Sequence, residues 1–101
     1  MAMSEHGLTE EEVGVIRDAF ERFEADADSV VVFGSRAKGA HREGSDVDLA
    51  YRGRLRPEQR ARIKDYLEEE TLLPYMFDIV EYDTLENRAL RGHIDRVGKP
   101  L

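Results

Sequence analysis

Two aspartates alternate within a short apolar stretch, Asp46-Val47-Asp48-Leu49. On an extended chain, residues i and i+2 point to one face. The two carboxylates would then stand side by side and repel each other unless a cation lies between them. Mg²⁺ is the hard cation that suits carboxylates combined with substrate phosphates. Val47, Leu49 and Tyr51 fall on the opposite face and read as core. Just upstream, the apolar run Val30 to Phe33 delivers the chain to Gly34-Ser35. Glycine has no Cβ, so backbone N–H groups there can approach a phosphate closely and form an anion-binding nest. The Ser35 hydroxyl adds a hydrogen-bonding group. Arg36 and Lys38 place cationic donors beside the same turn, and Gly39 and Gly44 keep the loop compact. A third acid, Asp78, sits between apolar neighbours in Met76 to Tyr82. Such an acid is costly to bury without a partner, and a metal shared with Asp46 and Asp48 would supply one. Glu81 is a weaker rival, because alternation puts it on the other face. Together these residues have the chemistry to handle a nucleoside triphosphate.

Each residue taken alone also has an ordinary reading. Gly34-Ser35 can be a plain turn, Arg36 and Lys38 a solvated loop, Asp46 a turn cap, and Asp48 a residue on a wet strand face. The joint pattern is what argues against that reading.

The elements that position these residues are legible from pattern. Leu8-Thr9-Glu10-Glu11-Glu12-Val13 is a helix opening, with Thr9 as N-cap, Glu12 completing a capping box, and Leu8 and Val13 placed as a hydrophobic staple. Val13, Ile16, Phe20 and Phe23 recur at helical spacing, predicting a helix to about Glu24 or Ala25. A link from Ala25 to Asp28 then leads into a strand over Ser29 to Phe33. The loop from Arg36 to Gly44 should hold a short helical turn, and His41 reads as an exposed loop residue. A second strand is expected from about Asp46 to Tyr51, paired with the first. The basic run from Arg52 to Lys64 follows. Most of it reads as an ordinary helix face, with Arg52 best placed to reach the site. Pro57 suits the first turn of a helix that carries Ile63, Tyr66 and Leu67 and ends near Glu70. Leu72-Leu73-Pro74 is a connector, and Met76 to Tyr82 a third strand. Asp83-Thr84-Leu85-Glu86 reads as a capping pattern for a last helix with Leu85, Ala89, Leu90, Ile94 and Val97 as its stripe and Gly98 as its C-cap. His93, beside that stripe, reads as a packing or interface residue.

Length and composition set the bounds. The 101 residues suit one domain, 1–101, able to bury a core without staples. There is no cysteine, hence neither a disulfide framework nor a Cys-based zinc site. No apolar run is long enough for a membrane span or a signal peptide, and a cytoplasmic location is expected. Of the 22 acidic residues, nine lie in residues 1–28 beside only Arg17 and Arg22, leaving thirteen acids and thirteen bases in the remainder. The net charge of −7 therefore belongs to the N-terminal segment. An acidic chain is a poor general nucleic-acid binder. Its acidic helix is a solvated face or a surface for a basic partner.

The pattern Gly34-Ser35-x-x-x-Gly39 followed by Ser45-Asp46-Val47-Asp48-Leu49 resembles the signature of the DNA polymerase beta-like nucleotidyltransferases. The small size and the GSRAKG wording resemble most closely the minimal nucleotidyltransferase (MNT) branch, the MntA-like antitoxins of HEPN/MNT toxin–antitoxin systems. The resemblance covers essentially the whole chain, with its specific residues mainly in 34–49. It implies an α+β nucleotidyltransferase fold, with a small mixed sheet of three strands, extendable by a short fourth, packed with helices. It implies that Gly34, Ser35, Arg36, Lys38, Gly39 and Ser45 bind the nucleotide, ATP. It further implies that Asp46, Asp48 and Asp78 hold two Mg²⁺ ions, with Asp78 matching the third carboxylate of the family. AMP would pass to a hydroxyl, a tyrosine, of a HEPN-domain ribonuclease toxin in a hetero-oligomer. Two other classes stay open: an antitoxin that neutralises by binding alone, and a nucleotidyltransferase acting on a small molecule such as an aminoglycoside. Inhibition of a partner by Asp46 and Asp48 variants would mark the first, and turnover of a free small acceptor the second.

Overall fold

The structure, a computed structural model, describes residues 7–34 and 46–101. Helix α1 spans Glu10–Arg22, and its start follows from local chemistry. The Thr9 hydroxyl accepts the Glu12 N–H (3.1 Å), and the Glu12 carboxylate accepts the Thr9 N–H (2.9 Å). Three acidic residues in the first turn favour the positive end of the helix dipole. The helix ends two to three residues earlier than its apolar spacing predicts. Glu24 adopts a left-handed φ of 53°, its N–H bonds the Glu21 carbonyl (3.0 Å), and the Ala25 N–H bonds the Phe20 carbonyl (2.9 Å). These two bonds make a Schellman close in which glutamate occupies the usual glycine position.

Strand β1 is Asp26–Phe33 and β2 is Val47–Arg54. Both are longer than expected. A bulge between Ala27 and Ser29 lets the start of β1 pair with Gly53 and Arg54, turning the expected link into strand. Helix α2, Pro57–Asp65, continues through a π-helical turn, Tyr66–Glu70. Strand β3 is Phe77–Glu81. A 3₁₀ turn, Tyr82–Thr84, comes next, and α3 is Arg88–Val97. The cap of α3 corrects the sequence expectation. Asn87, not the Asp83–Glu86 stretch, accepts the Leu90 N–H (3.1 Å); Asp83 and Thr84 are used up by the 3₁₀ turn. A two-residue β4, Lys99–Pro100, follows Gly98. A Cβ on Gly98 would lie 2.6 Å from the Ile94 carbonyl oxygen, so the turn from α3 to β4 has no room for a side chain.

The sheet order is β3-β2-β1-β4. β1 runs antiparallel to β2 and β4, and β2 runs parallel to β3. This is a mixed four-stranded sheet in an α+β fold. On one face Val32, Val47, Leu49, Tyr51, Phe77 and Ile79 pack with Ile16 and Phe20 of α1 and with Ile63 and Leu67. On the other, Phe33, Ala50 and Val80 pack with Ile94, Leu90 and Val97 of α3. Among the described residues no helix is long and apolar enough to cross a membrane.

Lys64 and Glu68 fasten β3 to the helix before it. Lys64 Nζ donates to Glu68 Oε2 (2.6 Å) and to the Phe77 carbonyl (2.6 Å), while Glu68 Oε2 also accepts the Phe77 N–H (2.7 Å). Burial opposes the charge on Glu68, but the Lys64 and Phe77 hydrogen bonds outweigh it and hold its carboxyl below the usual range.

Candidate active site

Alternation divides β2 into two chemistries. Val47, Leu49 and Tyr51 are buried toward α1 and α2, which leaves Asp48, Ala50 and Arg52 on the face that α3 covers. β3 divides in the same way, with Phe77 and Ile79 on the α1 face and Asp78 and Val80 on the α3 face. Because β2 and β3 are parallel and in register, Asp48 and Asp78 are direct cross-strand partners. On its other side Asp48 is the register partner of Phe33. Asp48 thus stands on an inner strand near one end of the sheet, half-buried, while Asp46 and Asp78 are exposed.

The turn after β1 closes on the same carboxylate. Gly34 has a φ of 75°, and a Cβ placed on it would lie 2.2 Å from Asp48 Oδ2. Glycine is required here twice over, by the left-handed backbone and by the approach of the carboxylate. The chain therefore leaves β1 at Gly34 directly beside Asp48. Ser35, Arg36, Lys38, Gly39 and Ser45, expected to bind phosphate, lie outside the described residues, as do His41 and the helical turn expected between Arg36 and Gly44.

The electrostatics of Asp48 report its surroundings. Its carboxyl is pushed above the usual carboxylate value, first by burial, then by the charges of Asp78 and Asp46, against an opposing contribution from His93. Three carboxylates thus interact at one sheet end, and the middle one is held where its charge is unfavourable. A divalent cation relieves that kind of repulsion. Among the described residues no three His, Cys, Asp or Glu side chains are grouped closely enough to enclose a metal ion. The in-register Asp48–Asp78 pair nevertheless fits Mg²⁺, which is commonly held by one or two carboxylates with the remaining positions left to water and phosphate.

His93 packs, as its place beside the α3 stripe predicts, but the sequence does not show against what. In the structure its ring meets Phe33 edge to face (centroids 6.2 Å apart, 79° between planes), and its charge is felt at Asp48. Helical spacing shows that His93 adjoins Ile94, but not that α3 lies over the carboxylate face of the sheet. Arg52 moves the opposite way. It shares a face with Asp48 but sits four residues along, about 13 Å at strand rise. It pairs there with Asp83 (3.2 Å) and lies over the Tyr82 ring (4.6 Å). Other members of the basic run are also engaged elsewhere: Arg56 with Glu58, and Arg60 with the buried Tyr51.

Comparison with known proteins agrees with this geometry. Residues 16–101 match the family model described as polymerase beta, nucleotidyltransferase. No curated protein gives a significant match. A crystal structure of a toxin–antitoxin with AMP-PNP superimposes with a TM-score of 0.71 at 20% identity, over 86% of this chain and 69% of that one. An MntA–HpeT toxin–antitoxin structure, a double Asp-to-Glu mutant, gives 0.69 at 19% identity, over 92% and 71%. A Tyr-to-Ala mutant of the same pair gives 0.66 at 19%, over 93% and 71%. These likenesses establish a shared fold. With a glycine turn abutting an in-register aspartate pair, and a family match running from α1 to the last residue, the chain belongs to the polymerase beta nucleotidyltransferase family.

Proposed function

We propose that this chain transfers AMP from ATP to a tyrosine hydroxyl of a HEPN-domain ribonuclease toxin, and acts as its antitoxin in a hetero-oligomer. The observation that carries the reading is the Asp48–Asp78 register pair with Gly34 closed against it, in a chain of this family. Toxin–antitoxin complexes among the structures of the same fold, one with AMP-PNP, support the partner and the nucleotide.

Each residue then has a task. Gly34, Ser35 and Gly39 shape a turn whose amides bind the triphosphate, and Arg36, Lys38 and Ser45 add donors to it. Asp46, Asp48 and Asp78 would hold Mg²⁺, which when bound neutralises charge on the attacking and leaving oxygens. Asp78, exposed at the rim of the pair, accepts the proton of the acceptor hydroxyl. The acceptor oxygen forms a bond to the α-phosphorus, the bond from that phosphorus to the bridging oxygen breaks, and pyrophosphate leaves. Phe33 and His93 wall the site on the α3 side.

Intact mass spectrometry of a co-expressed HEPN partner, after incubation with ATP and Mg²⁺, tests the proposal. The partner should gain whole AMP units with the wild-type chain and none with Asp46→Asn or Asp48→Asn. A partner that binds both forms and never gains mass would make the chain a binding antitoxin. AMP transfer to an aminoglycoside without any protein partner would make it a small-molecule enzyme.

A further inference from the structure

Two large apolar side chains are exposed among the described residues, Leu72 at 101% and Met76 at 58%. Both belong to the connector between the π-helical turn and β3. A single exposed leucine is ordinary, but Leu72 borders a groove of about 460 Å³. Its other apolar members are Val15, Tyr66, Leu73 and Pro74, and its acidic members are Glu11, Glu12 and Glu70, with no basic residue in the lining. Glu12 is held by Thr9 and by the Tyr75 hydroxyl (2.7 Å), whereas Glu11 and Glu70 are exposed. Arg22 is the nearby cation, stacked on the Tyr66 ring (4.8 Å). α1 and the π-helical turn face each other across this lining. That is the shape into which a third helix packs ridge into groove.

We propose that this groove docks a basic amphipathic helix of the partner protein, with an apolar residue covering Leu72 and lysines or arginines facing Glu11 and Glu70. Charge complementarity selects this occupant. A second copy of the chain would bring acid against acid, and an anionic membrane would be repelled. The connector also links the groove to the sheet end that carries the carboxylates. The connector ends where the Met76 carbonyl accepts the Val47 N–H (2.9 Å), beside Asp46 and Asp48. In that respect the inference deepens the proposed function and rests on it, but docking itself needs no nucleotide and is measured without one.

The probe is a fluorescein-labelled helical peptide of leucine and lysine in heptad pattern, with a leucine–glutamate counterpart, read by anisotropy against the full chain. The lysine peptide should bind and the glutamate peptide should not. Leu72→Ser should weaken binding about tenfold at unchanged melting temperature, since a fully exposed side chain has no native packing to lose. Glu70→Lys should weaken it by a similar factor and flatten its salt dependence. Glu86→Lys, an exposed acid outside the groove, should leave it unchanged. Equal binding by Leu72→Ser and wild type overturns the proposal. So does an equal loss in Glu86→Lys, which would mean diffuse charge attraction. Sedimentation velocity without peptide closes the test, because a dimer abolished by Leu72→Ser would make a second copy the occupant and overturn it too.

Discussion

Replacing Gly34 by alanine separates the cost to the fold from the cost to the chemistry. At φ 75° an L-residue pays for a left-handed backbone, about 1–2 kcal/mol. For a domain of this length that is on the order of 5–10 °C in Tm. The added Cβ also meets Asp48 Oδ2 at 2.2 Å, where ordinary contact begins at 3.4 Å, a shortfall of 1.2 Å. The carboxylate is the free end of a side chain, so it swings away at little further cost in stability. Its displacement from the Asp78 pair is the larger effect. A misplacement of about 1 Å in a reacting constellation costs on the order of a hundredfold in rate. Urea denaturation and AMP incorporation into the partner should therefore diverge: a modest loss of stability beside a loss of activity of about two decades. The stability loss should be the same in an Asp48→Ala background, within ~0.5 kcal/mol, because the clash is already relieved by rotation. Wild-type activity in Gly34→Ala, with the stability loss present, would refute the reasoning that Asp48 works from its place against this turn.

Glu68→Ala should cost about 1–3 kcal/mol in urea denaturation, since it strands the Phe77 N–H and takes from Lys64 its carboxylate partner, leaving the ammonium only the Phe77 carbonyl. Glu24→Gly should stabilise by about 1 kcal/mol in the same assay, by relieving a left-handed glutamate at the close of α1. In EDTA, stability should fall as pH rises above the ordinary carboxylate range. The folded-state carboxyl of Asp48 is raised, so its contribution is complete below the unfolded value and is lost as pH climbs through the folded one. Thermal melts of Asp48→Asn should show a flatter pH profile over that window, and adding Mg²⁺ to wild type should restore the lost stability.

Local chemistry made the strongest features legible in advance. Thr9 and Glu12 announce α1 because a capping box is satisfied within four residues. Alternation in 46–51 and 76–82 separates the aspartate-bearing face from the core-facing side chains because strand geometry alone determines it. What stayed hidden depends on distant partners. The bulge at the start of β1 exists because Gly53 and Arg54 wait across from it. The cap of α3 went to Asn87 once the 3₁₀ turn had taken Asp83 and Thr84. The early close of α1 uses a glutamate where sequence rules look for glycine. His93 and the contact between Gly34 and Asp48 belong to the packing of whole elements, which no single stretch encodes.

The parallel ladder between β2 and β3 has a kinetic meaning as well. Antiparallel β1 and β2 can zip outward from their connecting loop. β3 reaches its place only after α2 and the π-helical turn have carried the chain back along the sheet. Parallel pairing of this kind closes late and slowly, because loop entropy is lost before its contacts form. That ladder brings two like charges, Asp48 and Asp78, abreast. Newly made chains would therefore bring Asp48 and Asp78 together only late in folding, and sooner where a divalent cation screens their approach. Activity regained during refolding would then serve as a clock for the closing of the sheet, running later than the burial of the α1 core.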